Sequence, residues 1–153
     1  MTVEVPADPL LHPDYEFSAD AARLDAGRVH LLLTEHAYWA AGRGREVQDA
    51  AIAGSRSYAV YHRPSGALVA YARAVTDGAT FAWLADVVVD PVHRGRGLGT
   101  AVVAGAVADL ETLGLKRIVL KASDDGRGLY EHLGFAPLDD PAPWMERRPE
   151  LGK

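Results

Sequence analysis

Three observations predict a mixed α/β fold of the α+β kind, with a mostly antiparallel central sheet flanked by helices. Apolar residues recur near helical spacing over residues 25–53 and again over 98–113, while a Val-, Tyr- and Ala-rich stretch from Tyr58 to Val89 lies between them. A strand-then-helix pattern returns after Arg117. An Asp77-Gly78 pair divides the β-rich stretch, and it supplies the positive-φ positions of a tight hairpin, so the neighbouring strands are expected to be antiparallel. At 153 residues the chain suits one domain with its own core.

The elements follow in order. Pro6, Pro9 and Pro13 suit an extended arm over residues 1–14, ahead of a domain over 15–148 and a short tail at 149–153. Asp25 caps a helix that carries Val29, Leu32, Leu33, His36 and Tyr38 on to Trp39. Gly42 and Gly44 interrupt it, and a second short helix is expected over Glu46–Ala53. Tyr58–Tyr61 is a short strand, Leu68–Val75 a longer one, and Thr80–Val89 its antiparallel partner. A two-residue turn at Asp77-Gly78 would pair Ala82 with Arg73, Leu84 with Tyr71 and Asp86 with Val69, setting Arg73, Tyr71 and Asp86 on one sheet face. Leu98, Val102, Ala106, Leu110 and Leu113 form a helix stripe closed by Gly114. Arg117–Lys121 is a strand, Asp125–Leu133 a helix capped by Gly134, and a late strand region is expected from Phe135 onward. An edge strand near Trp144 is a candidate homodimer contact.

Composition narrows the chemistry. With 48% apolar and 24% charged residues, the chain is an ordinary folded one. It has no cysteine, which excludes disulfides, thiolate metal sites and a cysteine nucleophile. A net charge of −5 argues against bulk nucleic-acid binding. No apolar run reaches the roughly 20 residues of a membrane helix, and Glu4 and Asp8 sit where a signal peptide would be basic and then apolar. No membrane partner is therefore expected, and a cytoplasmic location is. The six histidines show no metal-ligand spacing, so no metal is expected.

The segment Val87-Val88-Val89-Asp90-Pro91-Val92-His93-Arg94-Gly95-Arg96-Gly97-Leu98-Gly99-Thr100 carries the chemistry. It joins a strand to a long helix through three glycines and two arginines. The glycines admit close approach to the backbone, the first helical turn offers unpaired N–H groups, and the helix dipole favours an anion. A diphosphate suits these donors. A Walker loop is excluded because no Gly-Lys-Ser/Thr occurs, and a dinucleotide-binding Rossmann loop fits poorly because the glycines are Gly95, Gly97 and Gly99 and follow a hairpin.

The Arg94-x-x-Gly97-x-Gly99 pattern after Val89-Asp90-Pro91, with Leu129-Tyr130-Glu131-His132-Leu133-Gly134-Phe135 some thirty residues later, resembles the GNAT superfamily of acetyl-CoA-dependent N-acyltransferases. The resemblance implies that the backbone of Arg94, Gly95, Arg96, Gly97, Leu98, Gly99 and Thr100 holds the coenzyme A pyrophosphate. Val87, Val88 and Val89 would pair with the pantetheine arm like an extra strand, and Tyr130 would face the sulfur. Such proteins often carry Asn at the end of the strand before the Tyr helix; Ser123 or Asp124 stands there, and Ser123 is the candidate for that contact to the pantetheine.

The residues themselves set the acid–base problem. An alkylamine is neutral in only about one molecule in 2,500 at pH 7, a handicap of roughly 4.6 kcal/mol, so deprotonation must be assisted. Asp86, in an otherwise apolar strand, is the expected base, directly or through water, with burial raising its pKa; anchoring a nearby backbone group or arginine is the alternative. Tyr130 is the expected acid for the leaving thiolate. His36, Trp39, Tyr71 and Arg73, with Tyr38, Arg43 and Arg45 nearby, are candidates for the acceptor wall. The expected function is acetyl transfer from acetyl-CoA to a primary amine of a small molecule by direct attack in a ternary complex. A non-catalytic CoA-sensing module and a protein N-acetyltransferase are the alternatives.

Overall fold

The structure, a computed structural model, describes residues 11–149, so most of the expected N-terminal arm lies outside the described residues. The chain divides into two compact units after Lys121. The first holds β1 (Tyr15–Ser18), α1 (Ala26–His36), α2 (Arg45–Ala53), β2 (Arg56–His62), β3 (Ala67–Thr76), β4 (Phe81–Val89), α3 (Leu98–Glu111) and β5 (Arg117–Leu120). These strands form one sheet in chain order, antiparallel throughout except for the parallel β4–β5 pair that α3 connects. The second unit holds α4 (Arg127–His132).

Periodicity explains the packing. Val29, Leu32 and Leu33 of α1 are buried with Ala59, Tyr61, Leu68, Tyr71 and Val88 of the sheet. Helix α3 buries Leu98, Ala101, Val102, Val103, Ala106 and Leu110, and packs across β1 to β4. Gly105 is its point of closest approach to β1: a Cβ there would lie 2.2 Å from the Phe17 ring. The same helix buries Asp109, which takes Nε and Nη2 of Arg56 at 2.9 Å each and the Tyr58 hydroxyl at 2.5 Å.

Four expectations are corrected. Helix α1 ends at His36 because Ala37 turns extended (φ −116°, ψ 111°), and Tyr38–Ala40 form a separate 3-10 turn. Strand β1, paired with β2 from Tyr15↔His62 to Ser18↔Ala59, lies where the reading placed no element. The β3–β4 turn spans four residues rather than two, since the Asp77 carboxylate accepts the Ala79 and Thr80 amides (2.9 and 2.8 Å) and the Thr80 hydroxyl (2.6 Å). The register shifts with it, to Thr76↔Ala82, Ala74↔Leu84 and Arg73↔Ala85, then Tyr71↔Val88. An extra residue is thus inserted into β4 at Asp86-Val87, a β-bulge. Finally, no strand follows α4 among the described residues; Pro137, Pro141 and Pro143 each lack a ladder N–H. The expected edge strand near Trp144, and the homodimer contact built on it, have no strand to rest on.

Candidate active site

The loop after β4 is pinned at its start. Asp90 donates its amide to Val69 (2.8 Å), caps the 3-10 turn Pro91–His93 by accepting Val92 N–H (3.0 Å), and receives Nη2 of Arg28 at 2.6 Å. Gly95 and Gly97 then adopt left-handed φ values of 79° and 74°. A Cβ at either would meet nothing within 4 Å, so backbone conformation, not space, is what glycine provides there. Gly97 is the N-cap of α3 and no side chain caps the helix. The N–H groups of Leu98, Gly99 and Thr100 therefore lack acceptors within the helix and project at its positive end.

Sequence reasoning missed what braces this loop. Nη1 of Arg96 donates to the Tyr15 hydroxyl at 2.7 Å, and that hydroxyl meets Nδ1 of His93 at 2.7 Å. The His62 ring lies 4.9 Å from His93 and 5.3 Å from Tyr15. Strand β1, itself unexpected, brings in the tyrosine.

Beside the loop the sheet opens. Strand β4 pairs with β5 only from Phe81↔Arg117 to Leu84↔Leu120. Among the described residues no strand pairs with that edge from Ala85 to Val89.

Asp86 stands where the opening begins, with φ at 55°, a conformation that Asp and Asn tolerate better than most side chains. Its side chain is 2% exposed. Oδ2 accepts from Nε of Arg73 (2.7 Å) and Nη1 of Arg43 (2.8 Å), while Oδ1 accepts from Nε1 of Trp39 (2.9 Å) and Nη2 of Arg43 (3.2 Å). Burial alone would push the carboxyl pKa up; the hydrogen bonds and charges of Arg43 and Arg73 overcome it and hold the group below the ordinary carboxylate range. The expected upward shift is thereby corrected. A carboxylate stabilised in its charged form by two guanidiniums is a poor proton acceptor at neutral pH, so the geometry favours the anchoring alternative over the base.

The remaining predicted residues separate. Arg73 and Trp39 join Asp86, and Arg43 does so more fully than expected. Tyr71 is wholly buried, its hydroxyl 2.8 Å from Ser57 Oγ, and burial pushes it up to about 12; it lies under the cluster rather than on a wall. His36 pairs with its neighbour Glu35, and Arg45 with Asp49 on the exposed side of α2. In the second unit, Ser123 Oγ accepts the Gly126 amide at 3.2 Å and Tyr130 packs edge-on against Phe135, its phenol pushed up by burial. Gln48 was not foreseen: it is fully buried, with Oε1 on Nη1 of Arg43 and Nε2 without a partner among the described residues. Among the described residues no group of three His, Asp or Glu side chains is placed to hold a metal ion, and no helix is long and apolar enough to cross a membrane.

Strand β4 thus loses its partner β5 after Leu84, and a glycine turn and the uncapped N-terminus of α3 follow it in the chain. The chain belongs to the acetyltransferase (GNAT) family, whose family model matches residues 15–135. A GNAT-family protein from Xanthomonas campestris pv. campestris is 38% identical, with a TM-score of 0.81 over 89% of this chain and 94% of that one. Serotonin N-acetyltransferase 2, chloroplastic, of Oryza sativa subsp. japonica is 47% identical over 72 residues, 47% of this chain and 36% of the rice protein. The glucosamine 6-phosphate N-acetyltransferase of Trypanosoma brucei brucei is 32% identical over 48% of this chain and 54% of its own. These matches span a third to a half of the curated relatives. A Mycobacterium tuberculosis protein in complex with CoA and NLQ shares the fold, at a TM-score of 0.67 and 17% identity over 81% of this chain and 73% of that one.

Proposed function

We propose that the chain transfers an acetyl group from acetyl-CoA to a primary amine of a small molecule, by direct attack in a ternary complex and in the cytoplasm. One observation carries the reading: the uncapped N-terminus of α3 follows two left-handed glycines and lies next to an unpaired stretch of β4. These features fit a coenzyme that pairs a diphosphate with an extended amide-bearing arm. The main-chain N–H groups from Arg94 to Thr100 would hold the phosphates, and the open edge at Val87–Val89 would hold the arm. The bound coenzyme would supply the thioester.

The chain's own residues then have separable roles. Tyr130, a phenol protonated at neutral pH and pushed further up by burial, is the proposed acid for the leaving thiolate. Asp86 is the proposed anchor of the acceptor side, holding Arg43, Arg73 and Trp39 in place. Two guanidiniums on one carboxylate leave a surplus positive charge, which favours the neutral form of a nearby amine and so assists its deprotonation without a dedicated base. Calorimetry with acetyl-CoA, followed by CoA-thiol release across an amine panel, tests the reading. Saturable binding with amine-dependent release is expected. Binding without release from any amine, peptide amines included, would leave only a coenzyme-binding module.

A further inference from the structure

We propose that the acceptor is an amine bearing an anionic group, a phosphate or a carboxylate, which docks on the Arg43–Asp86–Arg73 cluster. The proposal rests on the acetyl-transfer reading and names its acceptor class. The residues assigned to the coenzyme run from Thr100 back to Val87, and Asp86 is the next residue, at the level where β4 loses β5. An acceptor must therefore be presented beside Asp86.

The chemistry of that place is donor-rich and positive. Two guanidiniums offer ten N–H donors in total. Three bonds from Arg43 go to Asp86 and Gln48, and two from Arg73 go to Asp86 and Ser55; the other half of the donors have no acceptor among the described residues. Both side chains are partly open to solvent, at 17% and 16%. Gln48 adds a buried amide N–H₂ without an acceptor, carried on the same group whose oxygen sits on Arg43. Among the described residues Asp86 is the carboxylate that pairs with both guanidiniums. One carboxylate against two guanidiniums leaves a net positive site that a phosphate or carboxylate completes by forked hydrogen bonds. A polycation would be repelled from the same place.

Matched acceptors test this: phosphoethanolamine against ethanolamine, β-alanine against propylamine, and spermidine as the polycation. The anionic member of each pair is expected to show a KM at least ten-fold lower. It should also give saturable heat when titrated into the CoA-loaded protein, where its partner without the anionic group gives none, and the better anion-bearing member distinguishes phosphate from carboxylate. Arg73→Gln is expected to reduce the preference to below three-fold; if it does not fold, the wild-type comparison still decides. Ethanolamine, propylamine or spermidine used as well as the anion-bearing members would overturn the acceptor class while leaving the enzyme reading intact. Binding of acetyl-CoA with no turnover or heat from any anionic amine would also overturn it. Failure to bind acetyl-CoA at all would instead remove the enzyme reading.

Discussion

Replacing Asp86 by Asn separates an anchor from a base. Asn tolerates the left-handed φ of 55° and matches the shape, so the substitution removes charge with little added strain. Four hydrogen bonds from three side chains converge on this carboxylate, and its loss leaves two guanidiniums facing each other across an amide. Breaking a fully buried ion pair costs about 3–5 kcal/mol. The guanidiniums are 17% and 16% exposed, so water screens part of that, and about 2–3 kcal/mol is expected. For a chain of this size that is about 5–10 °C in Tm, read by thermal melting at pH 7.5. Because the folded carboxyl pKa lies below its ordinary value, the stabilisation is present above the ordinary carboxylate range and lost as pH falls through the folded pKa. The gap in Tm between wild type and variant should thus hold steady from pH 8 down to about 5 and narrow below about 4. An unchanged Tm with turnover abolished at every pH would refute the anchor and restore the base.

Other outcomes follow from the same geometry. Gly105→Ala should destabilise by about 1–3 kcal/mol despite the better helix propensity of Ala, because Phe17 stands in its way; a variant melting at or above wild type would contradict that packing. Tyr15→Phe removes the hydroxyl that holds Arg96 and His93, and is expected to weaken CoA affinity about 3–10-fold in calorimetry, with kcat unmoved. Tyr130→Phe should lower kcat by roughly 100-fold while CoA affinity stays within two-fold; parallel loss of both would assign the tyrosine to binding.

What could be read from the sequence was local. The α3 stripe and the glycine turn are each set by neighbours a few residues apart and stand where expected; the hairpin at Asp77-Gly78 is there too, but with a longer turn than the expected two residues. Strand β1 was not legible, since Tyr15–Ser18 is four residues long and its burial alternates with nothing; pairing with β2 alone makes it a strand. The bulge at Asp86 escaped because the Asp77 carboxylate lengthens the turn and shifts the register. The sign of the Asp86 shift escaped for a related reason. Burial can be inferred from an apolar strand, whereas its partners Arg43 and Trp39 lie 43 and 47 residues away, and it is their hydrogen bonds that decide the outcome.

The most direct measurement is a calorimetric titration of CoA into the wild-type chain and into Gly97→Ala. Gly97 holds a φ of 74° in open space, so alanine there strains the turn by about 1–2 kcal/mol without a clash. The account predicts one CoA per chain, affinity reduced at least ten-fold in the variant, and a Tm lowered by only a few degrees. Equal affinity in the two proteins, or no binding to either, would contradict it.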